Sequence, residues 1–272
     1  MLKRTDGYTD KRYYFDTWTG KFYISATSFC SSVLPENPYL VKWKQSLGEF
    51  EAKRQSKLAA HYGTCMHICA EEFMSRESYT FNMMHMRMLE YMNENNIDED
   101  LESRWLKDLK NDMLAFAQFC FEKEVDPINI ELWAKKDITE AGGIAGTIDL
   151  ECNLKFGRSK VHAIVDLKSG RKGFYDAHIL QLHLYNMVVP VDMLFNWSPT
   201  EWKGDTPTYK FVNQTKSNMA TKLEHYIELA KLDGMFTPKV GKLSFSTLKR
   251  GEKPVFRVLG LDDLRTELNE AI

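Results

Sequence analysis

Gly146-Thr147-Ile148-Asp149 and Val165-Asp166-Leu167-Lys168 are the two stretches on which the fold of this chain turns. Ile164, Val165 and Leu167 around Asp166 read as a central strand. A carboxylate there is costly unless it is paired or holds a metal. Lys168 follows two residues later and so shares the strand face of Asp166, because strand side chains alternate with period two. It is expected either to act with that carboxylate or to be its structural salt-bridge partner. Asp149 lies between Ile148 and Leu150 and is expected to face away from the side those two bury. Gly146 removes a side chain just before it and lets backbone or substrate approach. Carboxylates that converge on a sheet edge suit a hard divalent cation.

Working outward, Gln181 and Tyr185 are four residues apart on a predicted helix and share its face. His67 and Glu71 do the same on an earlier helix. Glu131 alternates with apolar neighbours on the strand before Asp149 and reads either as a third carboxylate or as a solvated strand residue.

The remaining elements follow from periodicity. Tyr13–Phe15 and Phe22–Ile24 flank Thr19-Gly20 and predict a hairpin. Thr27 or Ser28 is expected to cap a short helix through Val33. Pro38 opens a long helix to about Ala60, Gly63 ends it, and Thr64 caps the next helix to about Met74. Helices over Asn82–Asn93 and Leu101–Glu122 follow; the second shows an apolar stripe of Trp105, Leu109, Met113, Phe116 and Cys120. After Pro127 the period becomes two, with strands around Ile128–Ala134, Ile144–Cys152 and Lys160–Lys168. A helix over Phe174–Val188, strands over Val191–Trp197 and Thr208–Val212, and a helix over Ser217–Leu232 complete the core. Asp262 or Asp263 is expected to cap a last short helix. The plan is an α/β (α+β) chain in three parts: a helical region over 1–125 carrying the His67 motif, a core over 126–235, and a basic tail over 236–272.

At 272 residues, with 43% hydrophobic and 27% charged side chains, the chain can bury a sizeable core. Its net charge of −2 leaves any nucleic-acid partner to be held by a local patch. Five cysteines with no C-x-x-C pair point to a reducing compartment. Cys65 and Cys69 share one helix face while His67 points nearly the opposite way, so the trio reads as buried thiols rather than a zinc site. The opening Met1-Leu2-Lys3-Arg4 has no apolar signal core, and no apolar run reaches a membrane span. A soluble, cytoplasmic protein that does not engage a membrane is expected. No Walker A pattern is present.

In order and spacing, the motifs resemble the PD-(D/E)XK nuclease superfamily, and within it the RecB-like exonuclease branch. The matching residues are Gly63-Thr64 with His67 and Glu71 or Glu72, then Glu131, Gly146 with Asp149, Asp166 with Lys168, and Gln181 with Tyr185, covering roughly residues 60–190. Ser25-Ala26-Thr27-Ser28, with Trp43 and Lys44 downstream, also looks like the N-terminal region of stand-alone phage and mitochondrial exonucleases of that branch. The resemblance implies a restriction-endonuclease-like core, a mixed sheet flanked by helices. It implies that Asp149 and Asp166, with the Leu167 carbonyl, hold one or two Mg²⁺ or Mn²⁺ ions, with His67 as a further ligand. Lys168 would orient or activate the attacking water and stabilise developing charge, Glu131 would add a carboxylate, and Gln181 and Tyr185 would position the DNA and the site. Iron–sulfur members of the branch use three cysteines near the C-terminus; none follows Cys152, so no such cluster is expected.

The implied activity is metal-dependent exonucleolytic hydrolysis of DNA by metal-activated water, in phage or bacterial replication, recombination or processing. A structure-specific or nicking endonuclease, or a DNA-holding subunit, are the alternatives. Single-stranded DNA or a free end would be the substrate, and replication or recombination proteins possible partners. Arg171 and Lys172 directly after the active strand are the first candidates for DNA contact, in a loop that Gly170 and Gly173 leave mobile. Lys210, Lys216 and Lys222 are further candidates, as are Lys239, Lys242, Lys249, Arg250 and Lys253 in the tail. Trp18, Trp43, Tyr62, Trp197 and Trp202 are candidates for stacking on bases, and the N-terminal helices for an arch over the site.

Overall fold

In a computed structural model of the chain, residues 2–5, 11–16, 18–171, 173–200, 208–237, 243–245 and 256–258 are described. For residues 2–5, 243–245 and 256–258 only the backbone is described. Lys172, Trp202, the tail's basic residues and the helix expected at Asp262 or Asp263 lie outside these.

The strands are β1 (Leu2–Thr5), β2 (Tyr13–Asp16), β3 (Lys21–Ser25), β4 (Asp126–Thr139), β5 (Gly142–Phe156), β6 (Ser159–Leu167), β7 (Met193–Pro199), β8 (Tyr209–Asn213), β9 (Leu243–Phe245) and β10 (Phe256–Val258). The helices are α1 (Ala26–Val33), α2 (Pro38–Leu47), α3 (Glu49–Ser75), α4 (Phe81–Glu94), α5 (Glu102–Glu122), α6 (Asp176–Val188) and α7 (Met219–Leu232). The main sheet runs β1-β2-β3-β5-β6-β7-β8, with β4 also on β5; β9 and β10 pair separately. β3 is parallel to β5 and β6 to β7, and the other pairs are antiparallel. The chain is therefore a mixed α/β protein with a mixed, open sheet flanked by helices. Among the described residues no helix is long and apolar enough to cross a membrane.

Helices cover the two sheet faces separately. α1, α6 and α7 bury Phe29, Leu180 and Ile227 in one core with Ile144, Ile148 and Ile164. α3, α4 and α5 bury Met66, Met88 and Phe116 in the other with Leu150, Val165 and Trp197. Each fully buried large apolar side chain contributes about 1.5–3 kcal/mol.

β5 is the strand that places the site. β4 pairs with it throughout, but its other edge is shared. β3 pairs with Gly142–Ala145 and β6 with Leu150–Phe156, so Gly146–Asp149 lie in a gap between their converging C-terminal ends. A gap between two strand ends on one edge leaves a crevice at their carboxyl ends. The strand also changes phase there. Ile148 belongs to one core and Leu150 to the other, although strict alternation would place both on one face. That corrects the expectation for Asp149, which does not simply oppose a shared buried side. On β4, Glu131 has a φ of 50°, a left-handed conformation uncommon for a residue with a side chain, at the point where β4 follows the same slip from Ile130 to Leu132.

The helical region needs two corrections. The expected long helix is interrupted at Gly48, whose φ is 78°, not at Gly63. α3 then runs unbroken through Gly63, and Thr64, in its interior, bonds back to the Ala60 carbonyl instead of capping. A side chain at residue 63 would meet Ser169 Oγ at 3.0 Å, so the glycine serves close packing on the loop after β6. Ser25, rather than Thr27 or Ser28, caps α1: its side chain accepts from the Ser28 N–H at 3.0 Å.

Candidate metal centre

Four donor groups converge at the β5 gap, from four elements. α3 brings His67, β4 brings Glu131, β5 brings Asp149 and β6 brings the Leu167 carbonyl. One ligand atom from each of His67, Glu131 and Asp149 lies within 4.8 Å of the others. His67 Nδ1 is 3.4 Å from Glu131 and 3.5 Å from Asp149. Its Nε2–H donates to the Leu167 carbonyl at 3.1 Å. The other oxygen of Asp149 accepts the Leu167 N–H at 2.7 Å, which fixes the carboxylate against the end of β6.

Asp166 sits beside this group but is differently engaged. One oxygen accepts from Lys168 Nζ at 2.6 Å and the other from Asn196 Nδ2 at 2.7 Å. The resemblance placed Asp149 and Asp166 together on the cation. In the structure Asp149 groups with His67 and Glu131, and the Asp166 oxygens accept from Lys168 and Asn196. Behind Lys168, α6 supplies a relay: Lys168 Nζ is 3.4 Å from Gln181 Oε1, and Gln181 Nε2 donates to the Tyr185 hydroxyl at 2.7 Å. Tyr185 reaches into the gap because residue 146 is glycine; a Cβ there would stand 3.0 Å from both its hydroxyl and Cε1.

Electrostatically the site is short of positive charge. Burial would lower the His67 pKa, but Asp149 and Glu131 outweigh it and lift the imidazole to about 10. Burial raises Asp166 to about 6, against the pull of Lys168 and with Asp149 adding to the rise. Asp149 is lowered in spite of burial, by His67, Lys168 and the Leu167 N–H. Lys168 is raised in spite of burial, by Asp166 and Asp149. Three carboxylates thus share one lysine and one imidazole. One imidazole nitrogen with carboxylate and carbonyl oxygens is a donor set that suits Mg²⁺ and, through the nitrogen, Mn²⁺.

Other expected site residues are placed elsewhere. Arg171 is bonded to the buried Asp112, which also accepts from the Tyr62 hydroxyl at 2.6 Å. That clamp ties the loop after β6 to α3 and α5, and it occupies both Arg171 and Tyr62. Trp197 is wholly buried between Phe116 and Phe119 and is a core residue. Glu71 is exposed, while Glu72 pairs with Arg76 and Arg87. Lys44 pairs with Glu36 on the exposed face of α2. Two neighbours escaped the sequence reading. Asn196 stands out as a polar residue inside the apolar run Leu194-Phe195-Asn196-Trp197, a signal that was available. His178 is held neutral, its pKa lowered to about 3 by burial and by Lys168; nothing local in the sequence marks it.

Neither a family model nor a curated protein matches this chain. Among solved structures, one titled "Crystal structure of SSO0001" is 16% identical over 65% of this chain and 86% of that one, with a TM-score of 0.30. A superposition that loose carries no argument about fold or function.

Proposed function

We propose that the chain is a metal-dependent nuclease of the PD-(D/E)XK type that hydrolyses DNA from a free end. The observation that carries the reading is the convergence of His67, Glu131, Asp149 and the Leu167 carbonyl next to the buried Asp166–Lys168 pair. The donor set, the deficit of positive charge and the motif order all support it.

In that reading His67, Glu131, Asp149 and the Leu167 carbonyl hold Mg²⁺ or Mn²⁺, with Asp166 beside them. The cation supplies Lewis acidity, polarising a phosphoryl oxygen and acidifying water. Lys168 keeps its charge at neutral pH because Asp166 and Asp149 outweigh its burial. Its ammonium stabilises negative charge as it develops on the phosphate and orients the attacking water. Asn196 and Lys168 between them fix the Asp166 carboxylate. Gln181 and Tyr185 fill the space behind Lys168 and limit its movement.

End-labelled linear single- and double-stranded DNA, beside a closed circle, tests the reading with Mg²⁺, Mn²⁺ or EDTA and with Asp166→Ala as control. Metal-dependent shortening of the linear DNA with the circle intact is expected, and no cleavage by Asp166→Ala. A cut circle would move the assignment to an endonuclease of the same type. Retained DNA binding without cleavage would make it a DNA-holding subunit.

A further inference from the structure

Beyond the metal centre, the same side of the sheet stays open. Trp133 and Lys135 of β4 share one face, where Trp133 meets the Tyr14 ring and Lys135 lies over the Tyr23 ring. Thr147 and Ala145 of β5 lie opposite them in register. Tyr14, Tyr23 and Ala145 make a small buried cluster in which no helix residue takes part. No residue of α3, α4 or α5 joins that cluster, whereas Cys65 and Met66, beside His67 on α3, belong to the helix-covered core with Leu150 and Val165.

Trp133 is the feature of the open half that packing does not explain. Its side chain is 58% exposed, yet Tyr14 holds it at 5.3 Å with the two rings nearly perpendicular. It lies two residues from Glu131 on the same strand, at most about 7 Å along it. The cations nearby, Lys21 and Lys135, are already bonded to Asp137 and Asp16.

We propose that Trp133 is a stacking platform for an unpaired base next to the phosphate held at the His67–Glu131–Asp149 centre, so that the open half of the sheet carries a single strand. This rests on the nuclease reading above and adds to it the residue that contacts the base. Bases in a duplex are already stacked on one another and do not offer a free face to the indole. A single strand does, and one such contact is worth roughly 5- to 150-fold in affinity.

The test is binding of a fluorescein-labelled oligothymidylate and of a blunt hairpin duplex, with Ca²⁺ in place of Mg²⁺, followed by anisotropy. Trp133→Ala is expected to weaken the oligothymidylate roughly 5- to 150-fold, with duplex binding and the salt dependence unchanged. Trp133→Phe is expected to restore most of the loss, which a purely structural defect would not predict. Thr147→Glu leaves the indole in place and sets a carboxylate beside it; it is expected to weaken the same probe, which covers the case of a Trp133→Ala protein that does not fold. Equal binding of the oligothymidylate by parent and Trp133→Ala overturns the platform, as does an equal loss on both probes. A parent that binds the single strand through Trp133 but cuts no DNA leaves the platform standing and removes the nuclease reading. A parent that binds neither probe overturns both.

Discussion

Asp112 and Asp166 are both buried carboxylates bonded to one cation, and burial raises each to about 6. Their surroundings differ. Asp112 meets the Arg171 guanidinium and the Tyr62 hydroxyl, and this cluster locks α3, α5 and the loop after β6 together. Asp166 meets Lys168 too, but it also feels Asp149 across the gap, with Glu131 beyond. The first pair is a structural clamp: Asp112 feels a second carboxylate, Asp108, but Arg104 lies 3.8 Å from that one. The second belongs to a group whose carboxylates outnumber its cations, and a divalent cation would balance them. The same ion pair chemistry therefore holds a fold in one place and leaves a charge demand in the other, and only the neighbours decide which.

The largest expected effect separates the two pairs by activity. Lys168→Ala or Asp166→Ala is expected to reduce metal-dependent DNA cleavage by at least about 10²–10³-fold, with circular dichroism and cooperative unfolding retained. Full activity in a folded Lys168→Ala protein would sink the assignment of that lysine. Second is metal binding. Asp149→Ala and His67→Ala are each expected to weaken Mn²⁺ by at least about tenfold in calorimetric titration. Because His67 keeps its proton to about 10 without a cation, Mn²⁺ binding should release protons and tighten as pH rises. Heats that do not depend on buffer ionisation would count against the His67 ligand.

A third test distorts the gap without touching a charge. Gly146→Ala puts a methyl 3.0 Å from the Tyr185 ring and hydroxyl. It is expected to cost about 1–3 kcal/mol of stability in urea unfolding and to disturb Gln181 and Lys168 behind it. The smallest effect concerns the clamp. The folded pKa of Asp112 lies above its unfolded value, so its contribution is fully present below about 4 and is lost as pH rises through about 6. Measured by unfolding from pH 4 to 8, Asp112→Asn should therefore gain stability relative to the parent as pH rises. An opposite slope would mean that Arg171 does more than offset the burial.

Much of this was legible because it is local. The apolar run around Asp166 and the period-two alternation marked β5 and β6, and the stripe from Trp105 to Phe116 marked α5, because each rests on one element's own periodicity. The helix crossing from β6 to β7 was likewise readable from a helical segment between two strand segments. Where the reading failed, several elements decided the matter together. Gly63 predicts a helix break because glycine is a poor helix former; α3 runs through it, and the missing side chain lets the helix approach Ser169. Trp197 and Tyr62 looked like base-stacking candidates because an aromatic side chain does not say what surrounds it. Trp133, an alternating strand residue in the sequence, is exposed, as is Trp18 in the turn between β2 and β3.

By itself, the sequence determined the order of helices and strands and the chemical types at Asp149, Asp166, Lys168, Gln181 and Tyr185, since periodicity and residue chemistry are properties of short segments. Only the tertiary structure decided that Glu131 joins His67 and Asp149, that Asn196 and Lys168 take Asp166, and that Arg171 belongs to Asp112. The physical reason is that these partners lie on different elements. They meet only where β3 and β6 part along β5, a meeting set by sheet register and by the phase slip at Glu131 and Asp149 rather than by any spacing along the chain.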